Sequence, residues 1–475
     1  MDGVQAYTDE FIAILKQDIK DETTGKRLYK MLTINPGAVE ANMRKKFRYP
    51  NDFDLYKVPN KFKPLITLHI KVLAAVHDHK SYFEAFDTLN EICLSLVRAC
   101  EQQDKWIMPA VIGMYEELLM VYKAKNKRDP EDLDSFIVDD FDDFGSSKKK
   151  SDLETIIDTL RRGFNVVFND KNPDLNQSKK NYIYFFLANL MKYCFKMGKL
   201  DFARSISKTV EGNKQYKHQV VSMSHNIATK KNAITYLYYL AIIALDDGDF
   251  VSSEARLNEA VTLMHDYNIN NRHSKQMQQI LLILIPLKLY LHGKLPNDRI
   301  KISGSGYGKG IHRKDSDCIW TRFPLLKHVY KDNFFQAIKK GNFSKFDECI
   351  NTFQIMLLKN HLYVLMELIR QLVQLQLIHK TWEICQGIER NHIISLSAFQ
   401  ISFAFSNFYN EESYNRGSFR MDAFIDNISI LEIETIIANL ISQGKINAYI
   451  SNGQKCIVFS KTNPFPGITD KRVAS

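Results

Sequence analysis

The residues that could do chemistry in this 475-residue chain include a glycine-rich segment. SGSGYGKG, residues 303–310, is similar in composition to a phosphate-binding loop, whose pattern is a glycine, four residues and then Gly-Lys-Ser/Thr. Here Ser303 occupies the first glycine position, Gly310 follows Lys309, and no strand-and-helix pattern surrounds the segment. We therefore interpret it as a mobile basic loop, in which Lys309 and Arg313 could contact a nucleic-acid backbone.

The histidines and cysteines offer no metal site or nucleophile at a usable spacing. His77 and His79 are two residues apart at the end of an expected helix, so they would not face each other, and no third ligand is evident. The seven cysteines include no CxxC pair, and their odd number argues against a disulfide framework and favours a reducing compartment. No Ser/His/Asp or Cys/His set follows from the spacings. The sequence therefore predicts a protein that is not an enzyme and holds no metal or cofactor.

Basic residues near the C-terminus suggest contact with phosphates instead. Lys445 would end a helix, Lys455 would lie in a hairpin, and Lys461 would lie just beyond it. Such groups could neutralise nucleic-acid phosphates, with contact to the backbone rather than reading of bases. They could equally be solvated lysines of a module that packs against another protein. The candidate nucleic-acid-binding residues are Lys445, Lys455, Lys461, Arg416, Arg420, Lys339, Lys340, Lys309 and Arg313.

The net charge of +10 and the pI near 9.0 fit this interpretation without requiring it. A mild basic excess aids solubility, and it also attracts acidic proteins or phosphates. The first residues, MDGVQAYTDEF, lack the basic and apolar regions of a signal peptide. The most apolar run, Ile280–Leu291, is shorter than the ~20 residues that cross a membrane. We therefore expect a buried helix there, no membrane partner, and a protein of the cytoplasm or the nucleus.

Helical periodicity dominates the middle of the chain. Apolar residues recur at steps of three and one, as in Ile183, Phe186, Leu187, Leu190, Met191 and Cys194. The turns MGKL, DGDF and KGNF separate such helices, and in them Gly198, Gly248 and Gly341 are expected to end one helix in the left-handed conformation. Their spacing is irregular, unlike the strict tetratricopeptide (TPR) period of ~34 residues. The pattern predicts an all-α, right-handed, TPR-like stack of helical pairs, each burying its apolar face against its neighbours.

The last part of the chain predicts a winged helix. Ser429, three residues before a glutamate, begins a capping-box pattern ahead of an apolar stripe, and Gly444 would end that helix. INAYI and KCIVF then flank the Asn-Gly pair at 452–453, the strongest short hairpin signal. A lone hairpin is marginal in water, so it must pack on that helix and on an earlier helical segment around Ile393–Phe408.

These patterns predict four regions. They are an irregular and helical N-terminal segment at 1–60, helical repeats at 61–390, a winged helix at 391–466 and a tail at 467–475. Two stretches within the repeats are expected to be loops, a flexible one at 126–150 that is acidic and then basic, and a basic one at 297–319.

A helical-repeat stack closed by a C-terminal winged helix resembles the PCI domain of the proteasome lid, the signalosome and the translation-initiation scaffold. Between about Trp106 and Pro466, the resemblance is carried by KNYIYFFLANLMKYCFK, TYLYYLAIIALDDGDFVSSEARLNEAVTLMH, QILLILIPLKLYLHGKLP and IVFSKTNPFP. These segments are similar to the PCI subfamily of the twelfth COP-nine signalosome subunit of fungi and the PCI subunit of the nuclear transcription-export complex. The stretch Asn297–Trp320 is longer than the family's usual joint.

The resemblance implies a non-catalytic scaffold in a nuclear complex. It implies side-by-side pairing, through the edge of the winged helix, with a second PCI protein of the Sac-three/germinal-centre-associated type. It also implies a small acidic, largely disordered protein, shared with the proteasome lid, that wraps the repeats. The basic residues that would suit this acidic protein are Lys192, Lys196, Lys199, Arg204 and Lys208.

The same resemblance implies a function in nucleic-acid handling. Such complexes bind RNA or DNA and act in transcription elongation, mRNA maturation including splicing, or mRNA export. The alternative is an interaction-only subunit of the COP-nine signalosome without nucleic-acid contact.

Overall fold

The computed structural model describes residues 3–35, 48–128, 151–174, 177–212, 222–223, 226–267, 274–293, 319–389, 392–408 and 428–466. Most of the two expected loops, 126–150 and 297–319, and the tail at 467–475 lie outside these ranges, as do Lys309, Arg313, Arg416 and Arg420. Regular structure within them is helical except for one small sheet, which confirms the all-α fold. No helix of the described ranges is long and apolar enough to cross a membrane.

The chain divides into two compact units, Met1–Leu240 and Ala241–Ser475. Short 3-10 turns at Lys105–Ile107 and Lys179–Tyr182 and a π-helical turn at Ala74–Asp78 join helices of the first unit. That unit holds α1 (Gly3–Leu15), α2 (Glu22–Leu32), α3 (Asp52–Leu55), α4 (Lys63–Leu73), α5 (Tyr82–Cys100), α6 (Met108–Arg128), α7 (Asp152–Phe168), α8 (Ile183–Met197), α9 (Leu200–Gly212) and most of α10 (Ile227–Asp246).

A buried hydrogen-bond network fixes α2 to α6. The Glu117 carboxylate on α6 accepts from the Tyr29 hydroxyl at 2.9 Å, from the Thr33 hydroxyl, and from the Ile34 N–H at 3.1 Å. Burial raises the pKa of Glu117, and these donors oppose that shift. Gly113 allows the close approach, since a Cβ there would lie 2.4 Å from the Tyr29 ring. The N-terminal segment is therefore part of the packed repeats.

The second unit begins with the end of α10 and finishes with a winged helix. Pro286 lies inside α12, whose Ile280, Ile283 and Leu287 are buried, so the expected buried helix is confirmed. The helices before the winged helix are α11 (Phe250–Tyr267), α12 (Lys275–His292), α13 (Ile319–Arg322), α14 (Pro324–Leu326), a π-helical segment (Lys327–Phe334), α15 (Phe335–Lys340), α16 (Phe343–Lys359) and α17 (Tyr363–Glu389).

The three glycine turns lie where the sequence predicts them. Gly198, Gly248 and Gly341 have φ values of 74°, 77° and 66°. At each turn the N–H of the next residue donates to the carbonyl five positions back, at 2.8 to 3.0 Å. This backbone bond closes the helix end and starts the following helix in the opposite direction. The helical pairs α8–α9, α10–α11 and α15–α16 follow from these turns.

In its described residues, 392–408 and 428–466, the winged helix has two helices and three strands. An antiparallel sheet of order β1-β3-β2 places the first strand against the outer side of the hairpin. Its elements are β1 (Ile393–Ser395), α18 (Leu396–Phe408), α19 (Ile430–Ser442), β2 (Ala448–Ser451) and β3 (Cys456–Phe459).

One local prediction for this module is wrong, and another is confirmed. Residues 393–395, expected to be helical, form β1 because their backbone pairs with β3. The predicted hairpin forms around Asn452 and Gly453 with a four-residue loop, since Ser451 pairs with Cys456. Lys455, and not Gly453, takes the left-handed backbone of that loop, with φ of 47°.

Candidate functional site: the winged helix and the lysine cluster

The winged helix has its own apolar core between α19 and the inner face of the sheet. One side of α19 is buried along Ile433, Ile437 and Leu440, as the predicted stripe requires. The sheet covers it with Ile394, Ile457 and Phe459, all almost fully buried. These side chains fold the hairpin onto α19, so the module is a stable platform rather than an isolated hairpin.

The proline-rich segment after β3 fastens the module to α17. Phe465 is 1% exposed, and its ring centroid lies 4.8 Å from that of His379 and 5.5 Å from that of Trp382, both on α17. The Asn447 N–H donates to the Pro464 carbonyl at 2.8 Å, which holds this segment beside the hairpin. The winged helix is therefore joined to the last repeat helix by its own C-terminal extension.

The outer face of the sheet carries an apolar row formed by Ile393, Val458 and Tyr449. In the strand register Ile393 and Tyr449 both pair with Val458, so the three side chains lie on the same face of neighbouring strands. Ile393 is 43% exposed and Tyr449 is 64% exposed. β1 and β2 are the edge strands of this sheet in the described part of the chain. An apolar row on a sheet with two edges suits a protein partner.

Of the three lysines predicted on the winged helix, Lys455 lies apart from Lys461, whereas Lys445 lies at the same end of the hairpin as Lys461. Lys445 is half-buried, its Nζ lies 3.4 Å from Gln371 Oε1, and burial lowers its pKa. Lys455 and Lys461 are exposed at opposite ends of β3. The six-residue separation along an extended strand corresponds to about 20 Å.

The other predicted basic residues divide into two groups. Lys339 and Lys340 are exposed at the end of α15, just before the Gly341 turn. Lys309, Arg313, Arg416 and Arg420 lie outside the described residues. The described lysines thus divide among the two ends of the β2–β3 hairpin and the end of α15.

A denser basic surface lies in the first unit and is called the lysine cluster, Lys123, Lys192, Lys196 and Lys231. Partial burial, followed by the charges of the other three lysines, lowers the pKa of Lys192. Lys192 and Lys196 lie one helical turn apart on α8, while Lys123 and Lys231 belong to α6 and α10. No carboxylate of the described ranges forms an ion pair with any of the four.

Aromatic rings support the lysine cluster from beneath. The Lys196 ammonium lies 4.7 Å from the centroid of the Tyr122 ring and donates to its hydroxyl at 2.9 Å. Lys192 lies 5.9 Å from the Tyr193 ring. Tyr122 and Tyr193 are both 2% exposed and meet edge to face, so they position the ammonium groups without offering a free ring.

Two of the other basic residues predicted for an acidic partner are already paired. Lys199 binds Glu154 at 2.9 Å, and Arg204 binds Asp201 at 3.1 Å. Of the lysine cluster, only Lys192 and Lys196 are among the residues that the sequence predicts for an acidic partner. Lys123 and Lys231 come from distant parts of the chain, and no spacing in the sequence reveals that they join.

Several histidine and cysteine side chains of the described residues are buried in the core. No cluster of three or more His, Cys, Asp or Glu side chains that could hold a metal lies in these ranges. Burial raises the pKa of Cys100 and Cys349 to about 11 and that of Cys194 to about 12, which keeps these thiols protonated at neutral pH. His69 is also buried, which lowers its pKa to about 4. The geometry provides surfaces for binding.

Comparisons with known proteins agree with this architecture. Residues 351–461 match the PCI domain family. The chain is 38% identical to the Protein CSN12 homolog of Debaryomyces hansenii over 444 residues, 93% of this chain and 94% of that protein.

Two further relatives are more distant. Identity to the Cop9 signalosome complex subunit 12 of Saccharomyces cerevisiae is 25% over 332 residues, 68% of this chain and 70% of that protein. Identity to the PCI domain-containing protein 2 of Danio rerio is 21% over 431 residues, 90% of each chain.

Proposed function

Since the chain belongs to the family of PCI-domain proteins that includes the fungal CSN12 homologs, we propose that it is a non-catalytic scaffold subunit of a nuclear complex. In this complex it pairs with a second PCI protein of the Sac-three/germinal-centre-associated type and with a small acidic protein. The complex binds nucleic acid and acts in transcription elongation, mRNA maturation or mRNA export. The observation that carries the proposal is the exposed apolar row of the winged helix.

The apolar row is the proposed contact with the second PCI protein. Ile393 and Tyr449 contribute exposed apolar area on β1 and β2, the outer strands of the described sheet. Strand edges bind other chains readily, and an apolar face beside such an edge adds hydrophobic burial to the backbone hydrogen bonds. A second PCI module that binds here therefore buries the apolar row, which is exposed to water in the isolated chain.

The lysine cluster is the proposed contact with the small acidic protein. Four ammonium groups without a paired carboxylate repel one another, and an acidic chain relieves that repulsion. Met120 on α6 is 54% exposed and Ile227 on α10 is 67% exposed, each within one helical turn of a lysine of the cluster. Apolar side chains beside cations favour an acidic peptide that also carries apolar residues.

Nucleic-acid contact is proposed for the exposed lysines of the winged helix. Lys455 and Lys461 are accessible, and each phosphate neutralised adds salt-dependent affinity. Lys445, being half-buried, contributes less. Lysines bind phosphates of a nucleic-acid backbone, and nothing in this proposal requires them to read bases.

A second candidate is an interaction-only subunit of the signalosome. One relative bears the name Cop9 signalosome complex subunit 12. The divergent positions of Lys455 and Lys461 and the partial burial of Lys445 favour this alternative, because a protein interface does not need them to converge.

Purification of the tagged full-length chain tests the proposed partners. Native chain is expected to retain a second PCI protein and a small acidic protein. Ile393→Asp/Tyr449→Asp is expected to lose the second PCI protein and keep the small acidic protein. Lys192→Glu/Lys196→Glu is expected to lose the small acidic protein and keep the second PCI protein. Val251→Asp, on an exposed apolar position outside both surfaces, is the matched control. Retention of both partners by both double variants contradicts the assignment.

A gel shift of the purified heterodimer across a salt series separates the two candidate functions. Steeply salt-dependent RNA or DNA binding that Lys455→Glu/Lys461→Glu weakens supports the nucleic-acid complex. Absence of binding at low salt supports the interaction-only subunit.

A further inference from the structure

Three aromatic side chains of the first unit face solvent within eight residues of sequence. Tyr49, Phe53 and Tyr56, here called the aromatic patch, are 60%, 93% and 80% exposed. Single exposed aromatic residues are common on protein surfaces, whereas a group of them marks an interaction site. Phe53 and Tyr56 are three positions apart on helical backbone, so they lie on the same side of α3.

Local hydrogen bonds hold the backbone of the segment that carries the aromatic patch. The Arg48 guanidinium binds both carboxylate oxygens of Asp54, at 2.7 and 3.0 Å, and lowers the pKa of that carboxyl group. Asn51 and Asp54 also form a reciprocal capping box, with N–H to side-chain distances of 2.9 and 3.0 Å. A surface fixed in this way loses little conformational entropy on binding.

The patch is not required for the core. Val58 and Phe62, which follow α3, are 3% and 5% exposed, and the Phe62 ring meets Phe11 of α1 edge to face at 6.3 Å. These buried side chains anchor the segment to the first unit. The exposed rings are therefore available to a ligand.

The unpaired charges beside the aromatic patch are three lysines and one exposed carboxylate, that of Asp52, which adjoins Phe53. Lys57 and Lys61 are exposed and Lys63 is partly exposed. None of the three forms an ion pair or hydrogen bond with another described residue. The one cation of the segment with a carboxylate partner, among the residues described, is Arg48. Free cations next to exposed rings are the combination that binds phosphates and stacks bases.

We infer that the aromatic patch, with Lys57 and Lys61, is a stacking site for single-stranded nucleic acid. Unpaired bases lie on the rings of Tyr49, Phe53 and Tyr56, and the two lysines neutralise the adjacent phosphates. A duplex, whose bases are stacked on each other, cannot use the rings. A partner protein with an apolar groove would use the rings but would leave the lysines unneutralised, so the charges favour the nucleic acid. This site is additional to the winged-helix contacts proposed above and does not depend on them.

Fluorescence titration of the full-length protein tests the inference. The probes are a labelled short oligothymidylate, the same strand with one 2-aminopurine, and a duplex of equal length. Tyr49→Ser/Phe53→Ser/Tyr56→Ser is expected to weaken single-strand binding by at least about tenfold and to abolish quenching of 2-aminopurine. Its duplex affinity is expected to stay unchanged.

Two further variants separate stacking from other roles of these residues. Tyr49→Phe/Tyr56→Phe keeps the rings and is expected to bind as the native protein does. Lys57→Ala/Lys61→Ala is expected to reduce the slope of log affinity against log salt by about 1.4, or ~0.7 for each phosphate on a single strand. Val251→Ser, which removes an exposed apolar side chain elsewhere, is the control and is expected to change neither quantity.

The inference is overturned if the triple serine variant binds the single strand and quenches 2-aminopurine like the native protein, or if the native protein binds no single strand at low salt. Loss of a companion protein from the triple variant, with single-strand affinity intact, also overturns it and assigns the patch to a protein partner. Loss of duplex binding in Lys455→Glu/Lys461→Glu, with single-strand stacking intact, concerns the winged helix alone.

Discussion

At the scale of the residue, Phe465 has the clearest structural task. It lies six residues beyond the last strand, yet it is as buried as any core residue and contacts α17 and β3 through three rings. The sequence predicts a winged helix up to residue 466 but does not predict a structural role for the proline-rich segment after β3. Burial of an aromatic ring between prolines depends on tertiary contacts, which periodicity does not report.

Phe465→Ala is expected to destabilise the protein by about 3–5 kcal/mol, because it leaves a cavity among His379, Trp382 and Phe459. Urea unfolding followed by circular dichroism measures the free energy of unfolding. Phe53→Ala, at an exposed phenylalanine, is the matched control with an expected change below about 0.5 kcal/mol. Equal effects of the two substitutions would contradict the anchoring role.

His361 makes the free energy of unfolding depend on pH. Its Nδ1 lies 2.9 Å from Asp246, and this hydrogen bond raises the pKa of the histidine in the folded state. A histidine with a raised folded pKa contributes stability that is complete below its unfolded pKa of ~6.5 and is lost as pH rises through the folded pKa.

His361→Asn is the test, since asparagine tolerates the left-handed backbone at this position, where φ is 59°. The difference in unfolding free energy between native and variant protein is expected to shrink by several tenths of a kcal/mol between pH 6 and pH 9. If the difference in unfolding free energy stays constant or grows between pH 6 and pH 9, the pair with Asp246 does not cause the pH dependence.

At the scale of the element, the sequence predicts the helices and turns well and the sheet less well. Gly198, Gly248 and Gly341 need only their own backbone to end a helix, so their positions follow from local chemistry. Ile393–Ser395 becomes a strand because β3 lies beside it. That partner is more than sixty residues away in sequence, and local propensity is overridden by pairing of this kind.

The glycine turns are expected to differ in their tolerance of a side chain. A Cβ on Gly198 would meet nothing within 4 Å, whereas one on Gly341 would lie 3.0 Å from the Leu377 Cα. Gly198→Ala is therefore expected to cost about 1 kcal/mol, from the left-handed backbone alone, and Gly341→Ala distinctly more. Thermal unfolding of the two variants compares them, and equal losses would mean that α17 yields to the extra methyl group.

At the scale of the whole molecule, the sequence predicts the family and the presence of interaction surfaces, but not their composition. Lys123 and Lys231 reach the lysine cluster only through the packing of α6, α8 and α10. The aromatic patch was not predicted either, because exposure of Tyr49, Phe53 and Tyr56 depends on which neighbours cover them. The pattern of a single sequence does not predict contacts between residues that are far apart in the chain.

A charge cluster kept for binding is expected to reduce the stability of the free protein. Lys192→Met removes one of four mutually repelling charges and retains the apolar stem, so it is expected to raise the free energy of unfolding by a few tenths of a kcal/mol. Lys199→Met, which breaks the pair with Glu154, is the control and is not expected to stabilise the protein. Urea unfolding at low salt compares the two, and destabilisation by Lys192→Met would argue that the cluster is a structural feature.

The proposed scaffold function depends most on whether another subunit covers the outer face of the winged helix. Hydrogen–deuterium exchange of the isolated chain and of its purified native complex measures this directly, in peptides that span β1 and the β2–β3 hairpin. The account predicts that amides of the edge strands β1 and β2 exchange more slowly in the complex, and that Ile393→Asp/Tyr449→Asp removes this protection. Equal exchange of these strands in the isolated chain and in the complex would contradict it.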